Sequence, residues 1–143
     1  MQSSGHLEFA GGRGVGAGGA VLDLSAFPDL LPGTGTEMHR RVLATDWATT
    51  PLGPLERWSP TLRTAVGICL SSRVPMLLML GGELVMVYND AYAEVLGPRH
   101  PGALGRTVPD VWSEIWPVLE PMVRGTLAGR STFDEDLPFL MTR

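Results

Sequence analysis

Met76-Leu77-Leu78-Met79-Leu80, Gly81-Gly82-Glu83, Leu84-Val85-Met86-Val87-Tyr88 and Asn89-Asp90-Ala91-Tyr92 follow one another in the stretch that decides the fold. Two apolar runs around a glycine-rich break predict a β-hairpin, since glycine reaches the positive φ angles of a tight turn. Neither run alternates with polar residues, which predicts strands covered on both faces, as where helices flank a sheet. Asn89 offers its side chain to the first free amides of a short helix through Leu96, and Gly97 ends that helix.

Upstream, Ser59 and Pro60 form a helix start, a capping hydroxyl followed by proline where a missing N–H costs nothing. Leu62, Ala65, Val66, Cys69 and Leu70 then recur at helical spacing, with Arg63, Thr64, Gly67 and Ser71 on the other face. Cys69 falls on the buried stripe, where packing is the better reading than reactivity. Thr50-Pro51-Leu52-Gly53-Pro54 is a connector. Before it, Thr34 and Glu37 match a capping box, predicting a helix from about Gly35 to Thr45 with Met38, Val42 and Leu43 inward.

Downstream, residues 98–105 read as loop. Thr107 and Pro109 open a short helix carrying Val111, Trp112 and Ile115. A longer helix reaches about Ala128, with Leu119, Met122, Val123 and Leu127 inward, Pro121 restarting or kinking it, and Gly129 as its stop. Thr132 to Leu137 partly alternates and predicts a strand with an acidic outer face. Residues 1–33 read as a disordered tail: the run from Gly11 to Gly19 carries high backbone entropy and little to bury. Gly14, Gly16 and Gly19 match a dinucleotide fingerprint, but no strand is expected before them, and flexible linker is the better reading. The organisation is therefore a glycine-rich tail (1–33), a helical leader (34–73) and an α+β core (74–143).

At 143 residues the chain makes one domain, and 44% hydrophobic against 18% charged residues suffices for a core. A net charge of -4 gives no electrostatic reason to bind nucleic acid or anionic lipid. A single cysteine excludes an internal disulfide framework and fits a cytoplasmic location. The longest apolar run, from Val74 to Leu80, is far short of the roughly 20 residues of a membrane helix, so no membrane insertion is expected.

Asp46-Trp47, Thr50-Pro51-Leu52-Gly53-Pro54, Trp58-Ser59, Leu62-Arg63 and Ser72-Arg73-Val74-Pro75-Met76 together resemble the leader of PAS-type sensory domains heading bacterial sensor histidine kinases. Tyr88-Asn89-Asp90-Ala91-Tyr92, Leu96-Gly97, the run from His100 to Arg106, Trp112 and Glu114-Ile115-Trp116 resemble the core of the same family. The resemblance runs from Thr36 to the end of the chain. It implies a PAS-like antiparallel sheet of five strands in spatial order 2-1-5-4-3, with short helices enclosing a pocket. It also implies a homodimer that senses a ligand or partner, catalyses nothing, and biases an output domain or partner kinase of a two-component system. On that order the core is expected to be truncated before its last two strands, leaving an apolar strand edge and an oligomeric or loosely folded chain. The alternative is a small standalone binding protein or enzyme that is only superficially PAS-like.

Met76, Tyr88, Tyr92, Leu96, Trp112, Ile115, Trp116 and Val123 are the candidate pocket residues, with ordinary core packing as the competing reading. Asn89, Gly97 and Gly105 are the structural-motif positions. The cofactor is open. Flavin-adduct members of the superfamily carry a cysteine where this chain has Val108, after Gly105-Arg106-Thr107, so that adduct is unavailable. Haem-binding members often use a histidine on the long helix, and none lies between Val118 and Ala128. His100 reads as a surface contact, and His39 and His6 have no companions for a metal. Asp134, Glu135 and Asp136 fall on alternating strand faces and read as a solvated edge. No nucleophile elbow and no serine–histidine pairing is present.

Overall fold

A threonine one position ahead of Glu37 begins the first helix. The computed structural model describes residues 9–10, 13–14 and 35–131. Strands β1 (Phe9–Ala10) and β2 (Arg13–Gly14) form a two-residue antiparallel ladder where no strand was expected. An antiparallel ladder is not the parallel unit that a phosphate-cradling glycine fingerprint needs. Helix α1 (Glu37–Ala44) is capped by Thr36, whose Oγ1 accepts from the His39 amide at 3.2 Å. Thr34, the expected cap, lies outside the described residues. Met38 and Val42 are buried one turn apart, while Leu43, rotated about 100° onward, is 37% exposed rather than inward.

Trp47 and Trp58 anchor the connector to α2. Each indole N–H donates to a carbonyl five residues back, Val42 at 2.7 Å and Gly53 at 3.0 Å. Their rings meet edge to face at 4.9 Å, so both polar tips are satisfied while both apolar bodies are buried. Helix α2 (Pro60–Ser71) starts where its sequence predicts, with Ser59 Oγ accepting from the Leu62 amide at 3.1 Å. Val66, Cys69 and Leu70 are buried. Gly67 is buried as well, against its expected outer placement, and Ile68 takes the solvent side.

Strands β3 (Leu77–Leu80) and β4 (Val85–Tyr88) form the expected hairpin, with Leu77 opposite Tyr88 and Leu80 opposite Val85. Its turn takes in Leu84, which sits at φ 59 and is buried, while Gly81 supplies φ 72. All four β4 residues are buried, so both faces of that strand are covered. In β3 only partial burial is reached, and Met79 is 40% exposed, which corrects the expectation of two fully covered strands.

The outer edge of β4 is taken by residues 105–108. Met86 donates to the Arg106 carbonyl at 2.8 Å and accepts from Gly105 at 3.0 Å, and Leu84 accepts from Val108 at 2.9 Å. The Met86 backbone N–H and C=O therefore point away from β3, and alternation turns those of Val85 and Val87 toward it. Their partners Leu80 and Leu78 complete the ladder, which leaves the backbone groups of Leu77 and Met79 on the outer edge of β3. Among the described residues no strand pairs with that edge.

Helix α3 (Asp90–Leu96) is capped by Asn89 and stopped by Gly97 at φ 56, as its sequence predicts. Helix α4 (Val108–Val111) is a single turn that ends before Trp112 and Ile115, although both are buried. Helix α5 (Trp116–Leu127) continues through Pro121. Gly129, at φ 89, ends it in a Schellman motif: Gly129 donates to the Thr126 carbonyl and Arg130 to that of Gly125. Val123 faces inward, but Leu127 is 65% exposed, against expectation. The strand expected from Thr132 lies outside the described residues. The described core is a mixed helix-and-strand unit built on one antiparallel hairpin.

Candidate functional site

A cleft of about 240 Å³ lies between β3 and three helical segments. Leu77 and Met79, two residues apart on β3, project to one face of the strand and form one wall. Tyr92 and Val95, three apart on α3, form the second. Val108 and Trp112, with Ile115, and then Leu119 and Val123 from α5 close the rest. Met79 and Val95 are 40% and 41% exposed and mark its mouth.

Among the described residues the lining side chains are hydrocarbon apart from the Met79 thioether, the Tyr92 hydroxyl and the Trp112 indole N–H. Burial pushes the Tyr92 phenol above its ordinary pKa, and a hydrogen bond from Trp112 pulls the other way. Behind this wall, the Arg99 guanidinium lies 4.4 Å from the centre of the Trp112 ring. Arg99 Nε donates to the Val111 carbonyl at 3.2 Å, and the same guanidinium pairs with Glu114. The arginine thus holds the indole plane by stacking and by two polar tethers.

Of the eight candidate pocket residues, Tyr92, Trp112, Ile115 and Val123 line this cleft. The other four do not. Met76 precedes β3 and is held through its backbone by Asn89. Leu96 is buried in the core, and Trp116 packs half-buried against it. Tyr88 is fully buried, with its hydroxyl 2.9 Å from His100 Nδ1. Burial pushes that phenol up to about 12. Leu77, Met79, Val95, Val108 and Leu119 line the cleft without having been singled out. Their signal was present as same-face spacing: Leu77 with Met79, Tyr92 with Val95, Leu119 with Val123.

His100 is more than a surface contact. Its Nε2 lies 3.2 Å from Glu37 Oε1, and Glu37 also accepts from Arg41 Nε at 2.7 Å. In neutral His100, Nδ1 accepts from Tyr88 while Nε2–H donates to Glu37, a chain with every partner satisfied. It ties β4 to α1. The Arg41 and His100 bonds hold the Glu37 carboxyl below its ordinary range.

Asn89 is the buried polar residue of the core. Its Oδ1 accepts from the amides of Met76 at 3.1 Å and Tyr92 at 2.9 Å. Its Nδ2 donates to the carbonyls of Ser72 at 3.1 Å and Val74 at 2.7 Å. One amide therefore caps α3 and staples the 72–76 segment to it. Gly105, at φ 80, lets the chain pass Trp47; a Cβ there would lie 3.6 Å from that ring, in a backbone conformation strained for other residues.

Cys69 Sγ lies 3.7 Å from the Met76 carbonyl, and burial pushes the thiol up to about 11. Among the described residues no group of three or more His, Cys, Asp and Glu side chains gathers as a metal site. Asp134, Glu135 and Asp136 lie outside them. No described helix is long and apolar enough to cross a membrane. Comparison with family models, with curated proteins and with solved structures gave no match.

Proposed function

We propose that this chain is a PAS-type sensory module whose ligand site is the cleft between β3 and α3–α5. The observation that carries the reading is the cleft itself, an apolar cavity with two convergent polar tips. Among the described residues no strand pairs with the outer edge of β3, which supports it, because the family order 2-1-5-4-3 places a further strand beside the first.

Helix α3 supplies the relay. It carries Tyr92 and Val95 into the cleft, and at its start Asp90 Oδ1 accepts from the Met38 amide of α1 at 2.9 Å. A ligand that shifts α3 therefore acts on α1, which His100 and Glu37 also hold. The module works as a homodimer, relaying to an output domain or partner histidine kinase outside this chain, and itself carries out no turnover.

The test is titration of the chain with small aromatic probes, read from the four indole N–H signals by NMR. Saturable shifts at Trp112, with Trp47 and Trp58 unmoved, support the site. Equal movement of all four, or of none, refutes it.

A further inference from the structure

Among the described lining residues the polar hydrogen-bonding tips are the Trp112 indole N–H and the Tyr92 hydroxyl. An indole N–H only donates, so Trp112 cannot accept from the phenol. The phenol's own O–H then has no acceptor among the described residues. Tyr92 is only partly buried, so water can serve that O–H in the free cleft, and an oxygen on a bound guest takes the water's place.

Charge points the same way. Among the described residues no acidic or basic side chain lines the cleft, so a charged guest would meet no counter-charge from them. Arg99, behind the wall, is stacked on Trp112 and paired with Glu114. At about 240 Å³ the space is below the usual range for ligand pockets, roughly 300–1,000 Å³, and suits a single ring with a short substituent.

We propose that the cleft takes a neutral, mainly hydrocarbon molecule carrying one hydrogen-bond acceptor, such as a ketone, ester or ether oxygen, which accepts from Tyr92. The inference rests on the cleft being a ligand site, and the experiment separates the two. Acetophenone and 2-phenylpropene share a shape and differ in a carbonyl oxygen against a methylene. Each is titrated into the full chain and into Tyr92→Phe, following the Trp112 indole N–H. Acetophenone is expected to bind the variant about 2- to 10-fold more weakly, the equivalent of one net hydrogen bond. The affinity for 2-phenylpropene, which reports on the cleft's shape alone, is expected to stay within about twofold.

Equal weakening of both guests would make Tyr92 a packing residue and overturn the inference. Unchanged acetophenone binding would overturn it too, while leaving the ligand site standing. Binding of neither guest to the unsubstituted chain would refute the site and the inference together.

Discussion

Replacing Asn89 with alanine removes four hydrogen bonds from a side chain with no solvent exposure. The lost cap on α3 costs about 1 kcal/mol. The Met76 amide is half-buried and is left without its partner, costing about 1 kcal/mol or more. Val74 is exposed and Ser72 half-buried, so water replaces part of what their carbonyls lose; together they add about another 1 kcal/mol. The sum is about 3 kcal/mol, a large share of the roughly 5–15 kcal/mol that holds a domain together. With an m-value near 1.5 kcal/mol/M, the urea midpoint should fall by about 2 M at unchanged slope. Asn89→Ser keeps an oxygen for the Tyr92 amide but cannot reach the 72–76 segment, so it should recover about 1 kcal/mol. A loss of no more than about 1 kcal/mol in the alanine variant would mean that this amide is only a cap, and the stapling argument would be wrong.

Trp112→Ala should cost about 3–5 kcal/mol, against less than about 0.5 kcal/mol for Ile68→Ala on the solvent side of α2; comparable thermal shifts would show inside and outside misplaced. Cys69, with its thiol pushed up to about 11, should react with a disulfide reagent near pH 8 only as the protein unfolds, and rapid labelling of the native chain would contradict that. The Glu37 carboxyl is held low in the fold, so its contribution is present above the ordinary carboxylate pKa and is lost as pH falls through the depressed value. Glu37→Gln should flatten the acid limb of the melting temperature between about pH 5 and pH 3, and an unchanged limb would place that dependence elsewhere. Met79→Lys puts a charge beside the β3 edge that no described strand pairs and should shift the chain toward monomer in sedimentation, whereas undiminished self-association would exonerate that edge.

Much of the local architecture was legible before any coordinates, because its causes lie within a few residues of one another. Ser59 and Asn89 cap amides three positions ahead, and Gly97 and Gly129 adopt the positive φ that ends a helix. The hairpin followed from two apolar runs and a glycine pair. Where the local signal was ambiguous, geometry chose: of two threonines ahead of Glu37, Thr36 does the capping. Leu43 and Leu127 were read inward from helical spacing, but Leu43 is turned about 100° past buried Val42, and Leu127, in register with Val123, falls in the exposed last turn of its helix.

Membership of the cleft was a different matter. Tyr88 and Tyr92 are alike in sequence, yet Tyr88 is engaged by a histidine twelve positions away while Tyr92 faces the cavity. Val108 entered the reading only as a missing cysteine, and the fold makes it part of the wall. The pairing of residues 105–108 with β4 likewise joins segments about twenty positions apart. Sequence by itself determined the elements and their ends, since caps, turns and hydrophobic spacing act through neighbours along the chain. The tertiary structure alone decided which apolar side chains fill the core and which line an opening, because that depends on how distant surfaces meet.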